Sequence, residues 1–311
     1  MAESGTVRVL LGTLDGADWL EAQLDSLIAQ THRDWRLWVS DDGSRDGTLE
    51  ILHRFFQAHP GRLERLLDGP RRGAAANYLH LLCHPDLPDG PVALSDQDDV
   101  WRPWKLARAM DAIAAAEAEG GGAVAYAAGY DVVDSAGRVV RRVTAWPNGP
   151  SFGNALVQNI MSGHTLTLNA AALALLRRVG PRDVPHHDWF IYQLMAGAGA
   201  RLCLDEEPVL DYRQHGANAF GDRGGIGAAL RRARMIGRGD YAEWIAANCA
   251  TLGSAWEVLT PEARRTLAVV AAAPDAPRGL RRVVAMARAG LRRQQAAETA
   301  LLHLAAAFGK A

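Results

Sequence analysis

The chain has 311 residues, of which 49% are hydrophobic and 22% charged, with a formal net charge of −1. That is ordinary globular composition with length for a sizeable core and room for two domains; no nucleic-acid partner is expected. No apolar run reaches the roughly 20 residues needed to span a bilayer, and the start Met1-Ala2-Glu3-Ser4-Gly5 lacks the basic opening of a signal peptide. Cys83, Cys203 and Cys249 stand far apart without CxxC spacing, so neither a disulfide framework nor a zinc site is expected. A thiol-reduced, cytoplasmic protein fits best.

Thr6–Gly12 reads as a first strand, and Trp19, Leu20, Leu24, Leu27 and Ile28 follow at helical spacing. Trp35–Ser40 is a second strand. Asp46 can cap the next helix, whose apolar face holds Leu49, Leu52, Phe55 and Phe56. Leu63–Leu67 is a third strand, Gly73–Cys83 a third helix, and Pro91–Leu94 a fourth strand. Strands alternating with helices of about 10–15 residues give βαβ units and a mostly parallel sheet. Ala123–Ala128, Arg138–Val143 and His164–Leu168 then read as strands, Ala170–Arg178 and Trp189–Ala196 as helices, and Arg201–Leu204 as a short strand.

From Ile226 the chain is helical and rich in Ala and Arg, broken at Thr260-Pro261 and at 273–277. The glycine-rich stretch Phe220–Gly225 marks the expected boundary, giving a domain over 1–225 and an extension over 226–311. Charge divides at the same place. Residues 1–225 hold 21 Lys+Arg and 29 Asp+Glu, hence −8; residues 226–311 hold 13 and 6, hence +7. The basic extension either lies weakly on an anionic membrane surface or packs its apolar face on the rest of the protein, with its arginines solvated.

The chemistry concentrates in Ser95-Asp96-Gln97-Asp98-Asp99-Val100-Trp101, three carboxylates in four residues directly after the fourth strand. Mg²⁺ and Mn²⁺ take oxygen ligands, few of them from protein and the rest from phosphate and water. A second acidic strand end, Asp41-Asp42-Gly43-Ser44, lies upstream. Two acidic strand ends in an α/β chain imply a nucleotide and a metal at the carboxyl edge of one sheet.

Val9–Thr13, Gln23–Thr31 and Asp41–Thr48 resemble the opening of family 2 glycosyltransferases. Ser95–Trp101 followed by Lys105-Leu106, then Ser162-Gly163-His164, His187-Asp188-Trp189 and Tyr212–Asn218, are similar to the rhamnosyltransferase branch of that family. The resemblance covers residues 7–221 in the family's order. It implies a GT-A fold, with a nucleotide-sugar half at about 1–100 and an acceptor half at about 101–225. It also implies a dTDP- or UDP-linked donor, a divalent metal, and inverting transfer to a saccharide or lipid-linked acceptor. Leu14-Asp15-Gly16 departs from the family's Tyr-Asn-Gly, and Trp189-Phe190 from a pair of tryptophans. The Gln-x-x-Arg-Trp signature of processive synthases is absent, which favours transfer of a single sugar.

The resemblance assigns roles residue by residue. Asp98 ligates the metal, and Asp96 holds the donor ribose or a metal-bound water. Asp99 joins the site or orients the following turn. Asp42 accepts from the pyrimidine N–H, which suits thymine and uracil alike. Thr13 binds base or ribose. Arg72 and Asn77 lie in a segment beside the nucleotide, where Arg72 either meets a phosphate or is solvated. Asp188 matches the base that takes the acceptor proton. His187 either tunes it or donates a hydrogen bond from outside the site, and Gly163 and His164 border the acceptor. Trp189 either offers a platform to a sugar ring or packs in the core, and His215 is either a late ligand to metal or diphosphate or a solvent-exposed loop histidine. Two other classes compete. A sugar nucleotidyltransferase would carry a basic glycine-rich loop after strand one, where this chain has Gly12–Asp18 without Lys or Arg. A non-catalytic nucleotide-sugar or glycan-binding module would not need both Asp98 and Asp188.

Overall fold

The computed structural model describes residues 5–120, 122–214, 240–271 and 279–307. They gather into two compact units, one of residues 1–145, 161–191 and 200–213, the other of residues 146–160, 192–199 and 214–311.

The first unit is the expected α/β architecture. Strands β1 (Val7–Thr13), β2 (Trp35–Asp41), β3 (Leu63–Asp68) and β4 (Val92–Asp96) alternate with helices α1 (Leu20–Ile28), α2 (Thr48–Ala58) and α3 (Ala74–Leu82). These strands pair in parallel in the order β3-β2-β1-β4. Val7, Val9, Leu10 and Leu11 of β1 and Leu37, Trp38 and Val39 of β2 are all buried, because both faces of a parallel strand are covered. Gly47 rather than Asp46 occupies the cap position of α2. Asp46 acts one residue earlier: its carboxylate accepts from the amide and hydroxyl of Thr48.

The sheet continues beyond β4 with mixed pairing. A three-residue strand β5 (Asp99–Trp101) and helix α4 (Lys105–Ala118) precede β6 (Val124–Val133), which is buried along its whole length, and β7 (Val139–Val143). Residues 163–165 form a 3₁₀ turn rather than the start of a strand, and only Thr167–Leu168 pair, as β8. Helix α6 (Ala170–Val179) leads to α7 (His187–Gly197) and β9 (Arg201–Arg213). The full order is β3-β2-β1-β4-β8-β6-β9-β5, with β7 on β6.

Strand β9 runs nine residues beyond the stretch Arg201–Leu204 legible in the sequence. Along Asp205–Pro208, register shifts opposite Gly129 absorb the irregularity of the pairing with β6. Asp205 is held there by Arg108 at 2.8 Å and by the Tyr126 hydroxyl at 2.8 Å.

The second unit contains the short helix α5 (Phe152–Ala155), the end of α7, and helices α8 (Asp240–Gly253), α9 (Pro261–Ala271), α10 (Leu280–Arg288) and α11 (Ala296–Ala307). Residues 146–160 group with the C-terminal helices because their polar groups are met by residues 292–294. Buried Asn154 donates to the Arg292 carbonyl at 2.9 Å and accepts from Tyr192 at 2.9 Å, while Arg293 donates to the Val157 carbonyl at 2.8 Å. A Cβ on Gly153 would lie 2.3 Å from the Gly290 carbonyl oxygen, so the two backbones cross where only glycine fits. The boundary expected at Phe220–Gly225 lies outside the described residues. No helix among the described residues is long and apolar enough to cross a membrane.

Candidate active site

The sheet order reverses between β2-β1 and β4, and the carboxyl ends of these strands form the crevice where open α/β sheets take ligands. In register, Thr13 lies beside Asp41, and Gly12 beside Asp96. The buried Thr13 hydroxyl donates to Asp41 at 2.9 Å. The same carboxylate accepts the amides of Gly43 and Ser44 at 3.1 and 2.8 Å, so Asp41 shapes the turn leaving β2. Asp42 accepts from the amides of Arg71 and Gly73, which draws the loop before α3 to the strand end. Each of its oxygens keeps a second acceptor direction. Asp15 adopts φ 46°, a left-handed conformation that Asp tolerates, and accepts from the Arg45 amide at 2.7 Å. Acid in place of the family's amide therefore preserves the turn.

Past β4 the acid cluster is fixed from both sides. Gln97 grips Leu14, accepting from its amide at 2.9 Å and donating to its carbonyl at 2.8 Å. Arg213, at the end of β9, donates to the carbonyls of Asp98 at 2.7 Å, Trp19 at 2.9 Å and Asp99 at 3.3 Å. Side-chain exposure separates the outer two acids: 36% for Asp96 and 0% for Asp99. Asp98 is half-buried at the turn between them.

Asp96, Asp99 and His164 offer ligand atoms all within 4.8 Å of one another. His164 Nδ1 lies 3.7 Å from Asp96 and 3.9 Å from Asp99. Burial pushes the Asp96 carboxyl up, but the His164 imidazole and the Tyr78 hydroxyl, 2.6 Å away, outweigh it and hold the carboxyl below its ordinary value. Asp99 goes the other way: burial, then the charges of Asp96 and Asp98, raise it well above the carboxylate range. Both its oxygens are buried without a hydrogen-bond partner among the described residues. A buried carboxylate beside a second one is stabilised by a cation, and carboxylate oxygens suit Mg²⁺ or Mn²⁺. The acid turn as a whole, with half-buried Asp98 between Asp96 and Asp99, thus fits a divalent ion.

Fully buried Lys105 completes the group. Its amine donates to the His164 carbonyl and lies 3.7 Å from the centre of the Trp101 ring. Burial lowers it to about 7, against the pull of Asp99 and Asp96. Lys105 and Arg213 are legible as motif letters, but their roles rest on partners far along the chain: Lys105 on the His164 carbonyl, Arg213 on the carbonyls of Asp98 and Asp99.

The first turn of α7 stands beside the 3₁₀ turn. Asp188 accepts from the Gly163 amide at 3.0 Å and from the Trp189 amide at 2.8 Å. His187 stacks on Tyr78 with ring centres 4.2 Å apart, and Tyr78 in turn reaches Asp96. His164 lies against Tyr130 and Tyr212. A Cβ on Gly163 would come 2.9 Å from His187 Nε2 and 3.2 Å from Asp188 Cβ. Gly163→Ala is therefore expected to cost about 1–3 kcal/mol and to move Asp188, lowering turnover more than donor affinity. Denaturant unfolding and steady-state kinetics check this; unchanged turnover would show that the contact does not position Asp188.

The remaining sequence-assigned residues fall differently. Asn77 is buried, donates to the Ser40 carbonyl at 2.8 Å and accepts the Ser40 hydroxyl, so it ties α3 to β2. Arg72 is exposed and sits 3.3 Å from Asp183. Trp189 is only 4% exposed and carries His186 stacked on it, which makes it a core residue more than a platform. His215 lies outside the described residues. A cleft of about 880 Å³ in the second unit, lined by Phe152, Arg265, Arg292 and His303 among others, contains none of the assigned residues.

The sequence profile of Glycosyl transferase family 2 matches residues 9–178, more than half the chain. The chain belongs to glycosyltransferase family 2. The glycosyltransferase thus moves a sugar from a nucleotide-sugar donor, and the nucleotidyltransferase and non-catalytic readings fall away. It is 26% identical over 233 residues to a dTDP-rhamnosyl transferase of Shigella flexneri, covering 73% of this chain and 78% of that protein. It is 25% identical over 227 residues to an uncharacterised glycosyltransferase of a Nostoc species, covering 68% and 66%. Among solved structures, the glycosyltransferase shares its fold with a mannosyltransferase of Pyrobaculum calidifontis in complex with GDP-Man and Mn²⁺. The TM-score is 0.53 at 20% identity, over 99% of this chain and 88% of that one. Residues 1–349 of S. aureus TarS in complex with UDP-GlcNAc give 0.54 at 16% identity, over 98% and 88%.

Proposed function

We propose that this glycosyltransferase transfers one L-rhamnosyl unit from dTDP-L-rhamnose, with inversion, to a hydroxyl of a glycan or lipid-linked saccharide in surface polysaccharide assembly. The observation that carries the chemistry is the juxtaposition of acids at the β1/β4 reversal with Asp188 on the neighbouring α7 turn. The choice of donor is supported by the similarity to the Shigella dTDP-rhamnosyl transferase.

In this reading Thr13 and Asp42 receive the base and ribose, and Asp42 accepts the ring N–H of thymine. Asp96, its rotamer held by Tyr78 and His164, faces the ribose. Mn²⁺ or Mg²⁺ would be held by Asp98, with His215 as a further ligand; Asp98 is half-buried whereas Asp99 is fully enclosed. When bound, the ion supplies Lewis-acid stabilisation of the leaving diphosphate. Asp99, His164 and Lys105 support the acids from behind. Asp188 takes the proton of the acceptor hydroxyl as that oxygen bonds to the anomeric carbon; the bond to the phosphate oxygen breaks, and the nucleoside diphosphate leaves with the electron pair. The Gly163 and Trp189 amides hold the Asp188 carboxylate in one orientation. Gly163, His164 and His187 border the acceptor. The free cysteines Cys83, Cys203 and Cys249 support a reducing, cytoplasmic setting.

A donor screen tests the proposal. Hydrolysis of dTDP-rhamnose, dTDP-glucose, UDP-glucose, UDP-GlcNAc and GDP-mannose is measured with Mn²⁺ or Mg²⁺. Hydrolysis of dTDP-rhamnose well above the others is expected; preference for a UDP or GDP donor would overturn the donor assignment.

A further inference from the structure

The helical hairpin of α10 and α11 exposes apolar side chains that a soluble helix normally covers. Every exposed position of α11 is Ala or Leu: Ala296, Ala297, Ala300, Leu301 and Leu304. Its buried side is also apolar, with Leu302 and Ala306. Its polar residues Glu298, Thr299 and His303 are half-buried, while Leu301 and Leu304 are 59% and 55% exposed, the reverse of the usual placement. On α10, Leu280, Val284 and Ala287 recur at i, i+4 and i+7 and form an exposed stripe. Leu280 is 78% exposed. Arg281 and Arg288, also exposed, share the adjoining row. The Gly279 amide donates to the Ala307 carbonyl at 3.0 Å, which sets the helices antiparallel, with Leu280 at the same end as Leu304.

Charge decides what covers this surface. Residues 279–307 contain five arginines, at 281, 282, 288, 292 and 293, and one acid, Glu298, for a net +4. Glu298 is already paired with Arg293 at 3.0 Å. A second copy of the hairpin would bring more arginines and no free carboxylate. An anionic lipid leaflet supplies both the apolar layer and the negative charge, the pairing used by helices that lie in the interface plane.

We propose that α10 and α11 form a membrane-docking surface, with Leu280, Val284, Leu301 and Leu304 entering the acyl boundary of an anionic leaflet and Arg281 and Arg288 at the headgroups. The proposal stands apart from the identity of the donor. It would bring the enzyme to a lipid-borne acceptor.

Co-sedimentation of the full-length protein with vesicles tests it, using equal parts phosphatidylglycerol and phosphatidylcholine against phosphatidylcholine alone. Pelleting is expected with the anionic vesicles at low salt, and loss of it at high salt. Leu301→Gln/Leu304→Gln should abolish pelleting. Arg281→Gln/Arg288→Gln should weaken it about fivefold per arginine. Circular dichroism melting verifies that both variants fold, and donor hydrolysis in solution should be unchanged in both. No pelleting by the folded parent at low salt would overturn the proposal, as would equal pelleting by the leucine variant. A parent dimer in sedimentation velocity that the leucine variant breaks would assign the surface to a second copy instead.

Discussion

Asp98→Asn is expected to lower transfer by roughly 10²–10³-fold, since Lewis-acid stabilisation of the leaving group is worth several kcal/mol. The substitution keeps the size of the side chain and removes its charge. Asp98 is half-buried in the turn between β4 and β5, and its carbonyl is already held by Arg213, so the backbone should stay in place. Calorimetry of dTDP binding with and without Mn²⁺ reads the effect directly. The parent should bind more tightly with Mn²⁺, and the variant should lose that gain. Asp99→Asn is the informative companion. Asp99 is fully enclosed and an amide keeps its size, so the Mn²⁺-dependent gain should persist. If dTDP affinity is the same with metal, without metal and in Asp98→Asn, the assignment of Asp98 as metal ligand is wrong.

Asp188→Asn is expected to reduce turnover by roughly 10²–10⁴-fold while leaving donor affinity nearly unchanged. The amide still accepts one backbone N–H through its oxygen, so the first turn of α7 should hold, but basicity is gone. The split between turnover and donor affinity separates this effect from that of Asp98→Asn, which moves both. Near-parental turnover on the true acceptor would remove Asp188 from the role of base.

Much of the first unit was legible because its signals are local. The apolar runs Val7–Leu11 and Leu37–Val39 are strands buried on both faces, and the periods of α1 and α2 are plain in Leu20, Leu24, Leu27 and in Ile51, Leu52, Phe55. The acids after β2 and β4 could be read as strand ends because they directly follow those runs. What escaped depends on distant partners. Strand β5 exists because Asp99 and Trp101 pair with Tyr212 and Leu210, more than a hundred positions away. The buried group of Asp99, His164 and Lys105 joins three separate elements, and no spacing in the sequence brings them together. Asn77, in the segment expected beside the nucleotide, also ties α3 to Ser40 under the end of β2, a link that no local pattern shows. Residues 146–160 look like a continuation of the first unit, yet their hydrogen bonds to 292–294 place them with the C-terminal helices.

The measurement that bears most directly on the account is a crystal structure of the protein with dTDP and Mn²⁺, with the ion located by anomalous scattering. The account predicts the thymine ring at Asp42, the ribose near Thr13 and Asp96, and a single manganese peak between the diphosphate and the Asp98 carboxylate. A nucleotide away from the carboxyl ends of β1, β2 and β4, or a manganese peak buried between Asp99 and His164 and out of reach of the diphosphate, would contradict it.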